Sequence, residues 1–117
     1  MKAKKIFISF PYTHSDQNVT NERVQRAREY CLALIKEGYI PFSPALVGHD
    51  LIHQLNLNLE EQDMSFKYWD KFCYGYLEGC NELHVLMFDG YDDSVGVAGE
   101  IQEADSLKIE VKYIDFK

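Results

Sequence analysis

The stretch ELHVLMFDGYDDSVGVAGEI, residues 82–101, decides the fold. Its mostly apolar start, 82–88, is typical of a buried strand. The next segment, 89–93, is rich in Asp and predicts a turn. Ser94 then suits the N-cap of a helix that continues to about residue 107. A strand that passes through a short turn into a helix is the building unit of an α/β fold.

The same alternation continues along the rest of the chain. Apolar runs predict three further strands, at 5–10, 39–42 and 109–114. Helical spacing predicts two further helices, at 21–36 and 60–79. Asn18 and Thr20 are candidate caps of the first helix, and residues 45–58 are ambiguous between a turn of helix around 50–55 and extended chain. This order predicts a three-layer α/β sandwich, with helices on both faces of a mostly parallel, flavodoxin/Rossmann-like sheet of four or five strands.

Length and charge restrict the function. The 117 residues suit one domain that spans 1–117. The net charge of -7, from 12 basic and 19 acidic residues, argues against a nucleic-acid polymer as partner, because its backbone needs a basic face. No apolar run reaches the roughly 20 residues of a membrane helix. The three cysteines lack metal-type spacing, and we interpret them as reduced thiols of a cytoplasmic protein.

The predicted topology places a ligand site in three loops. In parallel sheets, ligands bind at the carboxyl ends of the strands, which here lead into 11–18, 43–51 and 89–96. In the last loop, Gly96 and the free N–H groups of a helix start favour an anion. Glu100 lies further along that helix, where a partly desolvated carboxylate can act as nucleophile or general base.

A structural alternative explains the same residues. Ser94 can be a helix cap, the small residues can serve packing, and Glu100 can be a surface acid. Spacing alone favours this alternative, because Gly-rich helix starts are common.

Other chemistries lack their motifs. The sequence contains neither G-x-S-x-G nor G-x-x-x-x-G-K-[ST], which argues against a serine hydrolase and a P-loop NTPase. His14, His49 and His53 lie on two loops without carboxylates at ligand spacing, so we expect no metal site. We expect no cofactor either. Trp69 fits a core or interface position better than a stacking platform for a base.

Five segments occur in an order that carries a family resemblance. They are FISFPYTH (7–14), GYIPFSP (38–44) followed by His49, YWD (68–70), CNELHVL (80–86) and DGYDDSVGVAGEI (89–101). Together they resemble the nucleoside 2-deoxyribosyltransferase-like superfamily, and within it a small bacterial and phage branch. The 2′-deoxynucleoside 5′-monophosphate N-hydrolases are relatives of that branch. The resemblance covers nearly the whole chain except 45–63, and S-x-G-V-x-x-E is its most specific element.

The resemblance implies an enzyme that hydrolyses or transfers at the N-glycosidic bond of a nucleotide, with a (deoxy)nucleoside 5′-monophosphate as the expected substrate. It implies that Glu100 is the nucleophile or general base and that Ser94 contacts the 5′-phosphate. It places the other substrate contacts on matching segments, at Ser9, Phe10, Pro11, His14, Ser43, Pro44, His49, Trp69, Cys73, Asp89 and Gly96.

Two positions depart from the family pattern. The superfamily often has a tyrosine at the position of Phe7, so Tyr12 would have to supply the hydroxyl that contacts the glutamate. Relatives carry an aspartate at the position of Cys73, and Asp70, one helical turn earlier, is the candidate replacement. These departures favour an alternative function, a non-catalytic nucleotide-binding or sensing module.

The aromatic stretch 66–76 offers more apolar surface than one small core needs. We therefore expect a homodimer or a larger homo-oligomer with this helix or its neighbour at the interface. The expected partners are a small-molecule nucleotide and further copies of the chain, with no membrane.

Overall fold

The structure, a computed structural model, describes residues 3–55 and 66–116. Its helices and strands are, in chain order, β1 (Lys5–Ser9), α1 (Gln17–Lys36), β2 (Ile40–Phe42), α2 (Pro44–Gln54), α3 (Phe66–Leu77), β3 (Glu82–Leu86), α4 (Val95–Ser106) and β4 (Glu110–Ile114). A short 3-10 helix, Tyr91–Asp93, precedes α4. Within the described residues, no helix is long and apolar enough to cross a bilayer.

The described strands form one parallel sheet in the order β2-β1-β3-β4. Phe7 of β1 pairs with Phe42 on one side and with Leu83 on the other. The chain therefore moves from β1 outward in one direction and then crosses to the opposite side. Such a switch in strand order opens a crevice at the carboxyl ends of the two strands concerned, here β1 and β3.

Each face of the sheet carries its own core. Successive side chains of a strand point to opposite faces, so Ile6 and Ile8 lie on one face of β1 and Phe7 lies on the other. The first core packs β1 and β3 against α1, through Ile6, Ile8, Phe10, Val24, Ala27, Leu34, Leu86 and Phe88. The second packs the sheet against α3 and α4, through Phe7, Cys73, Leu77, Cys80, Leu83, Val85, Val97 and Ala104. The predicted three-layer α/β sandwich is confirmed, with four strands.

The start of α1 differs from the prediction. The helix begins at Gln17, and its N-cap is Asp16, whose side chain accepts a hydrogen bond from the Asn18 N–H at 2.9 Å. Asn18 and Thr20 are therefore not caps, and Thr20 is buried inside the helix. Asp caps a helix as well as Asn or Thr does, so the carboxylate nearest to the first turn takes the position.

The ambiguous segment after β2 is a helix. α2 starts with Pro44 in its first turn, where the missing N–H of proline costs nothing, and it ends at Gln54. It is longer than the single turn expected around 50–55. The alternation of leucine and asparagine over 55–59, which suggested extended chain, lies outside the described residues from residue 56 onward, as do the stretch 60–65 of the predicted helix and the side chain of Phe66.

Helical spacing on α1 and α3 predicts Ile35 and Phe72 as inward positions, but both are exposed. Ile35 is 56% exposed, because the next residue of a helix lies about 100° around the axis from the buried Leu34. Phe72 is 42% exposed and packs edge-on against Phe42 of the edge strand β2. Of the other inward positions that helical spacing predicts on α3, Cys73 and Leu77 are buried and Trp69 is half-buried.

Candidate functional site

A cleft of about 620 Å³ lies beyond the carboxyl ends of β1 and β3, with residues of α2, α3 and the start of α4 in its walls. The structure brings twelve of the predicted site residues to its surface, Phe10, Pro11, Tyr12, His14, His49, Trp69, Asp70, Cys73, Asp89, Ser94, Gly96 and Glu100. They come from all three predicted loops and from α3. The crevice at the switch point is therefore where these distant segments meet.

Glu100 is an acidic residue of this cleft whose carboxyl group is partly desolvated. It follows the first turn of α4, and the Ser9 hydroxyl donates a hydrogen bond to its Oε1 at 2.6 Å. Burial raises the pKa of Glu100 to about 7, and the charge of Asp70 adds to the rise. Hydrogen bonds from Ser9 and Cys73 oppose it. Glu100 is therefore not a surface acid, and it can carry either a proton or a negative charge near neutral pH.

A serine, and not Tyr12, supplies the hydroxyl next to Glu100. Phe7 is completely buried and brings no polar group. Ser9 follows two residues later on the same face of β1 and reaches Glu100. The Tyr12 hydroxyl lies 2.8 Å from His49 Nδ1, with which it shares a hydrogen bond. The expected contact of Tyr12 with the glutamate is thus replaced by a Tyr12–His49 pair on the cleft wall.

The two ring systems of this pair are uncharged near neutral pH. Burial raises the pKa of Tyr12, so the hydroxyl keeps its proton. Burial lowers the pKa of His49, and the nearby His53 and Arg28 lower it further. The pair can therefore offer a ligand hydrogen bonds without adding charge.

Cys73 faces the cleft as a neutral thiol. It is 4% exposed, and burial raises its pKa to about 12, with the charges of Glu100 and Asp70 adding to the rise. A protonated thiol cannot replace the charge of the aspartate that the resemblance implies for this position. Asp70, one turn earlier on α3, also lines the cleft and provides a carboxylate there.

The first turn of α4 faces the cleft through Ser94 and Gly96. The Ser94 Oγ accepts a hydrogen bond from the Val97 N–H at 3.2 Å, so Ser94 is the helix cap that its sequence position predicted. Capping uses the hydroxyl oxygen as an acceptor and leaves the hydroxyl hydrogen available to a ligand. The first N–H groups of a helix also lack partners inside the helix. This corner of the cleft therefore suits an anion.

Three predicted contacts lie behind the cleft surface. Ser43 and Pro44 are buried at the start of α2, and the Ser43 Oγ has no hydrogen-bond partner among the described residues. Ser9 is 2% exposed and reaches the cleft through Glu100. Ser43 and Pro44 support the loop and do not line the cavity.

Trp69 forms part of the cleft wall rather than a purely internal core. It packs on Gly48 of α2, where a Cβ atom would come within 2.7 Å of the indole ring. Only the missing side chain of glycine permits this approach, since real Cβ contacts do not occur below about 3 Å. The sequence contained this signal as a glycine inside the helical segment PALVGHDLIHQ.

Arg23 is one of the lining residues that sequence reasoning missed, and the one with a guanidinium group. Its guanidinium donates to the carbonyl oxygens of Pro11 and Asp89 at 3.0 and 2.6 Å. The available signal was a charged residue on the buried stripe of α1, between Thr20 and Ala27. Among residues 3–55 and 66–116, no three His, Cys, Asp or Glu side chains are grouped as metal ligands.

Comparisons with known proteins agree with the fold. No curated protein matches the sequence. The structure is similar to that of a 2-deoxyribosyltransferase from Bacillus psychrosaccharolyticus, with a TM-score of 0.57 and 22% sequence identity, over 95% of this chain and 72% of that one. The predicted nucleoside 2-deoxyribosyltransferase-like fold is thereby confirmed. A family model described as a domain of unknown function, DUF1937, matches residues 4–115. The chain belongs to the DUF1937 family.

Proposed function

We propose that this protein cleaves the N-glycosidic bond of a nucleotide, with a (deoxy)nucleoside 5′-monophosphate as substrate. The observation that carries the proposal is the carboxyl group of Glu100, which is half-buried beside a cleft and has its pKa raised to about 7. A perturbed acid in a concave site is a candidate catalytic group. The fold shared with a 2-deoxyribosyltransferase supports the same class of bond.

Glu100 acts in its ionised form. As the bond between the sugar C1′ and the base nitrogen breaks, its electron pair leaves with the base and positive charge develops on the sugar. The carboxylate stabilises that charge, either by forming a bond to C1′ that water later replaces, or by taking a proton from the attacking water. In both routes the hydroxyl of water ends on C1′ and the base gains one proton.

The proton for the departing base comes from a second group that lines the cleft. Asp70 and Tyr12 are the candidate donors, and both line the cavity. Tyr12 shares its hydrogen bond with His49, so a proton given up by the hydroxyl can be replaced through the imidazole. The Trp69 ring offers a flat apolar surface for the base.

A second function is favoured by the replaced positions. Phe7 has no hydroxyl, and the neutral Cys73 thiol stands where relatives carry a carboxylate. A chain that retains the cleft without the full catalytic set can bind a nucleotide without cleaving it. This alternative is a nucleotide-binding or sensing module.

One experiment separates the two functions. The wild type and Glu100→Gln are incubated with the common deoxynucleoside 5′-monophosphates and their ribose counterparts, and free base is measured by chromatography. Release by the wild type that Glu100→Gln loses supports the enzyme. Melting shifts with the same ligands and no release favour the binding module. Equal release by both proteins removes Glu100 from the mechanism.

We also propose that copies of the chain associate through α3. The exposed Phe72 forms an aromatic group with Phe42 and Trp69 near the edge strand β2. Aromatic side chains exposed in such a group are typical of interfaces. Light scattering at micromolar concentration tests this assembly, and a stable monomer would contradict it.

A further inference from the structure

Arg23 combines burial with a position on the cleft. The residue is 9% exposed, lies on α1 and still lines the cavity. Its Nη1 donates to the carbonyl oxygen of Pro11 at 3.0 Å, and its Nη2 donates to that of Asp89 at 2.6 Å. These carbonyl groups follow β1 and β3. The guanidinium therefore joins the two loops between which the crevice opens.

The charge of Arg23 has no counter-ion among the residues that the structure describes. The ion pairs of that part of the chain join Glu82 or Glu110 to Lys4, His84 and Lys112. A buried cation is normally paired, because leaving a charge uncompensated in a poorly solvated place is costly. Two carbonyl groups occupy two of the five N–H donors of a guanidinium and leave its net charge unbalanced.

The rest of the cleft lining is rich in acidic residues, in contrast to Arg23. Asp70, Asp89, Asp93 and Glu100 all line the cavity, so an anionic ligand meets four carboxyl groups there. The attractive features on the same surface are the helix N-terminus at Ser94 and the Arg23 guanidinium. Gly90 lies beside the guanidinium, since a Cβ there would be 4.0 Å from Nη2, and its φ of +88° is a conformation that favours glycine.

We infer that Arg23 is a specificity-determining residue that provides the counter-charge for the phosphate of a phosphorylated sugar ligand in the cleft. The inference rests on the proposed function for its substrate class. Arg23 and the first turn of α4 then hold the phosphate from two sides, and the buried guanidinium gains its missing partner. The hydrogen bonds of the guanidinium to the two carbonyl oxygens fix its position before the ligand binds, and this lowers the entropy cost of binding.

The test compares ligands that differ by a phosphate. The wild type, Arg23→Gln, Arg23→Lys and the exposed control Lys36→Gln on the same helix are assayed with deoxynucleoside 5′-monophosphates and the matching deoxynucleosides. We expect Arg23→Gln to lower kcat/KM for monophosphates by about 10- to 100-fold, mainly through KM. Activity on free nucleosides should change by less than about threefold, and Lys36→Gln should behave as the wild type does.

Equal losses for both ligand classes would reduce Arg23 to a clamp between loops and overturn the inference, as would no loss at all. Arg23→Lys keeps the charge, so we expect it to retain most of the monophosphate preference that Arg23→Gln loses. If Arg23→Gln does not fold, Arg23→Met decides, because it keeps an unbranched side chain and removes the charge. A fall in its preference for monophosphates supports the inference, and an unchanged preference overturns it.

A binding measurement separates this inference from the proposed function. Titration calorimetry with 2-deoxyribose 5-phosphate and 2-deoxyribose needs no turnover. If no base is released from any substrate, the enzymatic proposal fails, yet binding of the phosphorylated sugar by the wild type and its loss in Arg23→Gln still support the anion site. A wild type that binds both sugars equally, or neither, overturns the inference even if base release occurs.

Discussion

Glu100→Gln should make the protein more stable at alkaline pH while it removes turnover. Burial raises the pKa of the Glu100 carboxyl from an ordinary 4.5 to about 7. A raised carboxyl pKa means that the folded state holds the proton more tightly than the unfolded chain does. Its stabilising contribution is fully present below about pH 4.5 and is lost as the pH rises through about 7. Above pH 8 the folded protein therefore holds a carboxylate that would be better solvated in the unfolded chain.

The magnitude follows from the two pKa values. The difference between 4.5 and about 7 corresponds to about 3 kcal/mol of unfolding free energy, because one pKa unit equals about 1.4 kcal/mol. Gln carries no charge, and its carbonyl oxygen can still accept the hydrogen bond from Ser9. The side-chain amide of Gln has N–H donors that need hydrogen-bond acceptors, whereas a carboxylate has no donors. About 3 kcal/mol is therefore an upper bound for the gain in unfolding free energy.

Urea unfolding at pH 5, 6, 7 and 8.5 measures this effect. The stability of Glu100→Gln minus that of the wild type should increase with pH, and the increase should be steepest between the two pKa values of Glu100, at about pH 5 to 6.5. Taking the difference cancels the titration of all other groups. Glu103→Gln removes the same charge from the same helix outside the cleft lining and serves as control. A difference constant within about 0.5 kcal/mol over this range would refute the buried, protonated carboxyl. Base release by Glu100→Gln should fall at least about 100-fold.

Four further predictions test the surrounding residues. Ser9→Ala removes a hydrogen bond that favours the carboxylate, so the acid limb of kcat/KM, expected near pH 7, should move to higher pH; an unmoved limb would separate Ser9 from Glu100. Ser94→Ala should weaken monophosphate binding by about 10- to 100-fold in calorimetry and cost about 1 kcal/mol of stability with the lost cap, whereas equal losses for nucleosides would leave only the cap. Cys73→Asp places a second buried carboxylate beside Glu100, so its melting temperature should fall more at pH 8 than at pH 5, and a variant as stable as the wild type at both would show that the site is well solvated. Burial alone would raise the pKa of Glu82, but hydrogen bonds from basic side chains lower it to about 2, so the stability lost in Glu82→Gln by urea unfolding should be large at pH 7 and shrink as the pH falls from about 4.5 towards 2; a loss independent of pH would contradict the paired carboxylate.

The elements that the sequence predicted well are those whose periodicity is imposed by a core. The runs at 5–10 and 82–88 became β1 and β3, because the two central strands are covered on both faces and every position must be buried. α2 was missed as a full helix. One part of α2 packs against the core on the α1 side of the sheet, and another part packs against the ring of Trp69. Because the helix has two contact faces, its sequence does not show one apolar stripe with helical periodicity.

Local capping was harder to predict than helix position. Asp16, Asn18 and Thr20 all have side chains that can accept a hydrogen bond from the first turn. The choice among them depends on how the preceding loop leaves β1, and His14 takes part by accepting the Asp16 N–H at 2.8 Å. That geometry is set by tertiary packing and is not encoded in the residues of the helix start alone.

Arg23 was missed for a related reason. A basic residue on a surface helix ordinarily faces water, and its neighbours Glu22 and Gln25 are indeed exposed. What makes Arg23 different is the pair of carbonyl groups supplied by Pro11 and Asp89, which are far from it in sequence. Contacts between a long polar side chain and distant backbone groups produce no periodic pattern in the sequence. The burial of Arg23 can therefore be recognised in the folded structure and not from the sequence.

The departure at Phe7 illustrates how a site can be preserved when one motif position changes. Phe7 and Ser9 lie on the same face of β1, the face covered by α3 and α4, because side chains two residues apart point in the same direction. A hydroxyl at either position can therefore approach Glu100. The aromatic ring at Phe7 fills the second core, and Ser9, closer to the carboxyl end of the strand, donates to the carboxylate at 2.6 Å. The strand therefore lacks the hydroxyl of a tyrosine, but the Glu100 carboxylate still has a hydrogen-bond donor in Ser9. The pH profile of Ser9→Ala measures the effect of this donor on Glu100.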